Sequence, residues 1–342
     1  MSATMEKQTS IDLFIQHVLH DLDTSIKHNK RSIEKLAGHC GITDKTEIKE
    51  YTELAIVYKA RSIASSTFSI REKFWKIVEL YRSQVNLSHR TSQSILLQQY
   101  STPAPIAFLA GIFVNADQNI SVFEPSAGNG LLTITAQPSR VTVNELDDLR
   151  RSNLNHQEYR QVLKQDATKP FKGYERTFDA VLTNPPFGLL EKEVKYETFT
   201  IEVLDHLMAL RALDTMKDDG KAAIIIGGHT GFDRKGRIQK GKNRFFFNYL
   251  YSRYNVVELI NIDGHKLYSR QGTSFDVRLI LIDRRKPKPS GAAPVSDSDR
   301  DKVVDSFEEL YDRVMSVTKP RKQTFMTPLE LEAKRWLWNL NC

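Results

Sequence analysis

The chain has 342 residues, 40% of them hydrophobic, and a formal net charge of +7. This length allows one or two folded cores, and the modest basic excess is compatible either with an anionic partner or with an ordinary solvated surface. The two cysteines form no CxxC pair and no cluster with histidine, which argues against a disulfide scaffold and a structural metal site. No apolar stretch is long enough to span a bilayer and no signal peptide is recognisable, so we expect a soluble, cytoplasmic protein without membrane contact.

The first 92 residues are predicted to form a helical region. Apolar residues recur at three- and four-residue spacings in 11–26, and similar patterns follow in 54–63 and 74–80. Pro103 and Pro105 then mark a loop before an apolar helix. We therefore expect a domain of residues 1–92 ahead of the main domain.

Residues 93–285 alternate short apolar runs with helical segments. The runs are ISVFEP, RVTVNE, FDAVLTN, KAAIIIGG, VVELINID and DVRLILID. Such alternation predicts an α/β domain with a mostly parallel sheet between helices. The connection GHKLYSRQGTSF between the last two runs is too short for a crossover helix and a further strand. Those two strands are therefore expected to be antiparallel and to make the sheet mixed at one edge.

Residues 286–342 are predicted to form a linker and two C-terminal helices. RRKPKPSGAAPVSDSD is rich in proline, serine and glycine, as linkers are. Helical patterns follow in VVDSFEELYDRVM and TPLELEAKRWLWNL, and the second begins with a capping-box pattern.

Small and acidic residues follow three successive predicted strands. EPSAGNG places Gly128 and Gly130 after the first strand, where a Rossmann-type sheet brings its backbone close to a ligand. The turn departs from GxGxxG, which disfavours a dinucleotide. Glu145 ends the second strand and Asp166 follows the third, so these carboxylates could accept hydrogen bonds from a ribose diol and an adenine amino group. Taken singly, a glycine turn is structural about as often as it is functional, and an acid at a strand end is more often a helix cap or a solvated charge.

The fourth strand ends in TNPPFG. Two prolines fix the backbone and lack N–H donors, so they would hold a rigid turn beside the amide of Asn184. By itself the motif would be a strand-ending turn with a buried Phe187. Because it completes an ordered set at successive strand ends, we interpret it as part of a site.

The order EPSAGNG, VNE, QDA and TNPPFG resembles the S-adenosylmethionine-dependent amino-methyltransferases. The resemblance is closest to the gamma-type adenine-N6 DNA methyltransferases and to the modification subunits of type I restriction systems. QQYSTPAPIA, upstream of the glycine turn, adds to it, and it covers roughly residues 98–285. The resemblance implies a Rossmann-like class I methyltransferase fold with a mixed, mostly parallel sheet, an antiparallel edge and an N-terminal helical region outside the match.

The resemblance also implies a role for each motif. Asn184 and the carbonyl of Pro185 would accept hydrogen bonds from the target amine, Pro186 would hold the turn, and Phe187 would stack on a flipped base. The implied cofactor is S-adenosylmethionine, and the reaction calls for no metal. The residues expected to bind the cofactor are Tyr100, Ser101, Thr102, Glu124, Gly128, Gly130, Glu145, Asp166 and Asn184.

A basic segment follows the KAAIIIGG run. Its candidates for binding nucleic-acid phosphates are Arg234, Lys235, Arg237, Lys240, Lys242 and Arg244. A solvated loop is the alternative interpretation. The aromatic residues just after it, 245–247 and Tyr249, are expected to belong to the core face of a helix.

The connection GHKLYSRQGTSF contains His265, Tyr268 and Arg270, which could line a target pocket. An ordinary polar hairpin loop is the favoured interpretation, and we assign the segment no catalytic role.

The sequence therefore predicts methyl transfer to the N6 amine of adenine in DNA, with relaxed specificity of a phage, mobile-element or restriction-modification kind. RNA or protein-glutamine methylation is an alternative, because the amino groups of RNA bases and of glutamine pose the same chemical problem as the N6 amine of adenine in DNA. A catalytically silent fold that binds nucleic acid as a subunit is another, although the intact motifs argue against it. With no long recognition domain after residue 285, sequence recognition is expected from the N-terminal helices, from a partner subunit or not at all. The expected partners besides DNA are a specificity subunit or a second copy of the chain.

Overall fold

A computed structural model describes residues 3–87, 101–238, 242–271, 274–299 and 301–318. The chain begins with four helices: α1 Ala3–Asp23, α2 Lys30–His39, α3 Lys45–Ala64 and α4 Ile70–Ser83. The side chains of Asn29, Asp44 and Ser69 accept hydrogen bonds from backbone amides in the first turns of α2, α3 and α4, which explains where these helices begin. The predicted N-terminal helical region is confirmed.

The remaining elements alternate between strands and helices. The strands are β1 Val122–Glu124, β2 Val141–Asn144, β3 Gln161–Leu163, β4 Phe178–Thr183, β5 Leu189–Tyr196, β6 Phe199–Val203, β7 Met216–Gly227, β8 Tyr254–Ile262, β9 Val277–Arg285 and β10 Val303–Val304. The helices are α5 Ala104–Phe113, α6 Asp148–Asn155, α7 Leu204–Asp214, α8 Lys242–Arg253, α9 Gly264–Leu267 and α10 Phe307–Val317.

Eight of these strands form one sheet in the order β10-β8-β9-β7-β4-β1-β2-β3. The strand β9 is antiparallel to both of its neighbours, and the other pairs are parallel. This is the Rossmann-like class I methyltransferase arrangement, so the predicted fold class is confirmed. The strands β5 and β6 pair with each other in a separate antiparallel hairpin directly after the NPPF motif, which the sequence pattern did not predict.

The antiparallel pairing of β8 with β9 agrees with the prediction. The outermost strand on this side is β10, which pairs in parallel with β8 and so leaves β9 inside the sheet. The pattern VVDSFEELYDRVM was predicted to be wholly helical, but its two valines form β10 and the helix begins only after the N-cap Ser306. Two β-branched residues before a serine cap favour this division. The second predicted C-terminal helix lies outside the described residues.

Helices cover both faces of the sheet. Alternate residues of β7 enter two different apolar clusters, with Ala223 and Ile225 on one face and Ile224 and Ile226 on the other. The first cluster also contains α5, every residue of which is buried, and apolar residues of α1 to α4 and α10. The segments before and after residues 93–285 therefore share a core with the sheet. None of the helices that the structure describes has the length and apolarity needed to cross a membrane.

Candidate active site

The carboxyl ends of β1, β2, β3 and β4 open into one cavity of about 320 Å³. This volume lies at the lower end of the range, roughly 300–1,000 Å³, that is usual for small-molecule sites. Because parallel strands end at the same edge of a sheet, the loops that carry Gly128, Glu145, Asp166 and Asn184 all reach its wall. The four sequence motifs thus meet in one place.

Most of the residues predicted to bind a cofactor line this cavity. They are Ser101, Thr102, Glu124, Gly128, Glu145, Asp166 and Asn184. Gly130 does not: its φ is 90°, and a Cβ atom there would lie 2.2 Å from the hydroxyl of Tyr159, so this glycine is required by backbone conformation and packing. Tyr100 lies outside the described residues.

Side chains at the end of β2 hold the strand-end loops together. The amide nitrogen of Asn144 donates to the carbonyls of Pro125 and Gln165, each at 2.9 Å, and so joins the loops after β1 and β3. One oxygen of Glu145 accepts from the backbone N–H of Gly128 at 2.8 Å. Because a carboxylate offers about four acceptor positions, Glu145 can support the glycine turn and still accept from a ligand.

Two polar groups, one at the end of β1 and one in the loop after it, fit a polar ligand. Burial and the nearby Glu145 raise the pKa of Glu124 well above its usual range. One of the carboxyl oxygens of Glu124 and the hydroxyl of Ser126 are buried without a hydrogen-bond partner among the described residues. Such groups are costly to bury unless a ligand completes their hydrogen bonding.

Asn184 is held by two hydroxyl groups. Its amide nitrogen donates to Oγ1 of Thr102 at 2.9 Å and to Oη of Tyr268 at 2.8 Å. With both protons of the nitrogen directed to these hydroxyls, the oxygen is the atom with which the amide can accept a hydrogen bond from a substrate amine. Pro186 lines the cavity beside it.

Phe187 occupies a buried position outside the wall of the cavity. Its side chain is 9% exposed and packs against Gly227 of β7, where a Cβ atom would lie 3.1 Å from the ring. Pro185 is also absent from the wall. The ring therefore contacts β7 rather than the cavity.

The contribution of Tyr268 to the site was not predicted from the sequence. The connection between β8 and β9, interpreted as an ordinary polar loop, forms α9 and a 3₁₀ turn and buries the Tyr268 side chain completely. Burial raises the pKa of its hydroxyl, which therefore stays protonated. The one tyrosine of a largely polar connection was the only signal of this role.

The N-terminal helix α3 also reaches the cavity, which the sequence did not indicate. Glu53 of α3 and Arg150 of α6 both line its wall. One turn before Glu53, Glu50 accepts from Nε of Arg150 at 2.9 Å and from the side-chain amide of Asn129 at 2.7 Å. Although burial raises the pKa of Glu50, the interaction with Arg150 outweighs it and the pKa is lowered. A buried ion pair therefore joins α3 to α6, and the hydrogen bond from Asn129 joins α3 to the glycine turn.

Two arginines of the basic segment pair with Asp233, although one of them, Arg237, is itself 54% exposed. Nε of Arg237 and Nη2 of Arg244 donate to the carboxylate of Asp233 at 2.9 and 2.8 Å, whereas Arg234 and Lys235 are exposed. Lys240 and the side chain of Lys242 lie outside the described residues.

The aromatic residues that follow belong to α8. Phe246 and Phe247 are buried, as predicted for the core face of a helix, and Tyr249 is half-buried. Phe245 is 56% exposed, so it does not belong to that face.

Comparison with known proteins gives similarity of structure only. No family model matches the chain, and no curated protein matches it. One similar structure is described as a modification subunit of a type I restriction enzyme from Vibrio vulnificus YJ016, with 15% identity, a TM-score of 0.45 and 81% of this chain covered. The chain spans 60% of the length of that subunit.

Two further structures have comparable scores. A protein from Listeria monocytogenes described as a class I S-adenosylmethionine-dependent methyltransferase has 13% identity and a TM-score of 0.48, with 93% of this chain and 100% of that chain covered. The type I restriction enzyme EcoKI M protein has 13% identity and a TM-score of 0.47, with 93% and 74% covered. Identities and TM-scores this low carry no conclusion about the activity of this chain.

Proposed function

We propose that the chain is an S-adenosylmethionine-dependent methyltransferase that acts on the N6 amine of adenine in DNA. The observation that supports this most is the continuity of one cavity from Asp166 and Glu145 to Asn184. The sheet order β4-β1-β2-β3 gives the cavity a direction. A nucleoside held at the ends of β2 and β3 would extend its other end past β1 towards Asn184 at the end of β4.

The residues present fit this cofactor. Glu145 and Asp166 would accept hydrogen bonds from the ribose and the adenine, and the buried oxygens of Glu124 and Ser126 would gain a polar partner. When bound, the cofactor would supply an electrophilic methyl group carried on a sulfonium.

At the Asn184 end of the cavity, the residues of the chain would orient the target amine. The oxygen of Asn184 and the carbonyl of Pro185 would accept its two protons and favour a tetrahedral nitrogen as positive charge develops. Thr102 and Tyr268 would keep the amide oxygen directed at the amine, because they hold the amide nitrogen. Orientation of this kind contributes to rate by removing the entropy cost of alignment.

The choice of DNA rests on the resemblance of TNPPFG and QQYSTP and on the exposed Arg234 and Lys235. A restriction-modification or mobile-element setting, with a specificity subunit or a second copy as partner, belongs to the same proposal. RNA or protein-glutamine methylation is the alternative, since the chemistry of the amine is shared.

The test is to incubate the protein with methyl-labelled S-adenosylmethionine and, separately, duplex DNA, single-stranded DNA, ribosomal RNA and a protein extract. We expect label in DNA, recovered as N6-methyladenine after digestion to nucleosides. Asn184→Ala should lower the rate of transfer by on the order of 100-fold or more while it still binds the cofactor. Label in RNA or protein would support the alternative, and no cofactor binding by calorimetry would indicate a silent fold.

A further inference from the structure

Helix α3 places a buried carboxylate in the wall of the cavity. Glu53 is 1% exposed and lines the cavity together with Ser101 and Thr102. Neither carboxylate oxygen has a well-formed hydrogen bond among the described residues, although the hydroxyl of Ser101 lies near enough to lower the pKa of the carboxyl. Its neighbour on the same face of α3, Glu50, is by contrast fully engaged with Arg150 and Asn129.

The charges around Glu53 leave it without a dedicated counter-ion. Burial and Glu50 raise the pKa of Glu53, whereas Arg150, the Ser101 hydroxyl and Lys49 lower it without reversing the shift. The guanidinium of Arg150 donates through Nε and Nη2 to Glu50, at 2.9 and 3.2 Å. A buried carboxylate in such a setting is stabilised if a ligand brings a positive charge to it.

Glu53 lies at the Asn184 end of the cavity. Its charge acts on Tyr268, whose hydroxyl accepts the hydrogen bond from Asn184, and Ser101 precedes Thr102, the other hydroxyl on that amide. A second buried carboxyl of the wall, Glu124, ends β1 and interacts with a third, Glu145, at the end of β2, nearer the middle of the cavity. A ligand with its nucleoside at β2 and β3 would therefore direct its non-nucleoside end to Glu53.

We propose that Glu53 binds the α-ammonium group at the amino-acid end of the cofactor, so that the N-terminal helical region completes the cofactor site. This inference rests on the proposed function, because it requires a ligand that carries both an adenosine and an amino acid. The Glu50–Arg150 pair then holds the adjoining turn of α3 against α6. The ligand class that the site selects is a nucleoside with a cationic amino-acid tail rather than a plain nucleoside.

The experiment compares three ligands by calorimetry on the full chain. S-adenosylmethionine and S-adenosylhomocysteine carry the amino-acid end, and 5′-methylthioadenosine lacks it. Glu53→Gln is expected to weaken the binding of S-adenosylmethionine and S-adenosylhomocysteine by about tenfold or more, which is the loss for a hydrogen bond to a charged group. The affinity for 5′-methylthioadenosine should stay within about twofold. Glu47→Gln, on the same helix in an ion pair with the exposed Lys7, is the matched control and should change none of them.

The outcomes separate the inference from the proposed function. Equal weakening of the binding of all three ligands by Glu53→Gln would overturn the inference. It would also be overturned if Glu53→Gln left all three affinities unchanged while Glu124→Gln lost affinity only for the two ligands with an amino-acid end. If Glu53→Gln does not fold, Glu53→Asp, which keeps the charge but withdraws it by one methylene, should show the same selective loss. Failure of the unmodified chain to bind any of the three would overturn the proposed function itself, and the inference with it.

Discussion

The amide of Asn184 owes its orientation to two hydroxyl groups, and one of them can be removed with little change of shape. Tyr268→Phe deletes one of the two acceptors of the amide nitrogen, so the amide should sample other orientations. We expect kcat to fall by about tenfold, in line with the loss of one neutral hydrogen bond, while the Kd for S-adenosylmethionine is unchanged.

Tyr254→Phe is the matched control for Tyr268→Phe. Tyr254 is also fully buried, and its hydroxyl accepts one hydrogen bond, from Arg285 at 2.8 Å, away from the cavity. Tyr254→Phe should lower the free energy of unfolding by about as much as Tyr268→Phe does, without lowering kcat. Equal kcat values for the two variants would show that Tyr268 has only a structural role.

A second residue-scale prediction concerns acid stability. Partial burial raises the pKa of Asp179 in β4, but hydrogen bonds from Ser121 and Lys217 outweigh this effect and lower the pKa to about 2, from an ordinary 3.8. A lowered pKa means that the stabilising contribution is complete above pH 4 and is lost as the pH falls towards 2. The difference in urea midpoint between the unmodified chain and Asp179→Asn should therefore shrink between pH 5 and pH 3. A constant difference over this range would contradict the assignment.

At the scale of elements, the segment between β7 and α8 carries two arginines paired with Asp233 and two further exposed cations, Arg234 and Lys235. If this loop binds phosphates, Arg234→Gln with Lys235→Gln should make the salt dependence of DNA binding shallower by about 0.9 log units for each phosphate that is no longer neutralised. Arg237→Gln should have a smaller effect, because Asp233 already holds that side chain. Lys30→Gln with Arg31→Gln, both exposed on α2, is the control for loss of net charge. Identical slopes in all variants would make the loop an ordinary solvated surface.

At the scale of the whole molecule, the Glu50–Arg150 pair joins the N-terminal helices to the sheet domain. Glu50→Ala deprives the buried Arg150 of its carboxylate, so we expect a loss of about 3–5 kcal/mol in the free energy of unfolding. Glu47→Ala removes a carboxylate whose partner Lys7 is 60% exposed, and should cost less than about 1 kcal/mol.

Urea titrations followed by circular dichroism measure both values. Because the helices and the sheet share one apolar cluster, a single transition is expected in each variant. Equal losses for the two variants would show that the buried pair does not link the two regions energetically.

The sheet and the position of the cavity could be read from the sequence because they depend on local patterns. Alternating apolar runs predict strands, and the residues that follow parallel strands collect at one edge whatever packs on the faces. For this reason Glu124, Glu145, Asp166 and Asn184 could be placed near one another from their order alone. The strand β10 was missed because its two residues are too few to show a period, and the hairpin β5–β6 was missed because β5, although eight residues long, is mostly exposed and contains no apolar run.

The interactions that complete the site were decided by tertiary structure alone. Tyr268 meets Asn184 across 84 residues of chain, and Glu50 meets Arg150 across 100, so neither pair leaves a spacing in the sequence. Glu53 reaches the cavity only because α3 packs on the loop after β1, and Phe187 lies beneath the site because Gly227 leaves room for its ring. The sequence by itself determined which chemical groups stand at the strand ends. The packing of helices and loops over that edge determined which other groups reach them, because packing depends on the summed shape of distant segments and not on any local pattern.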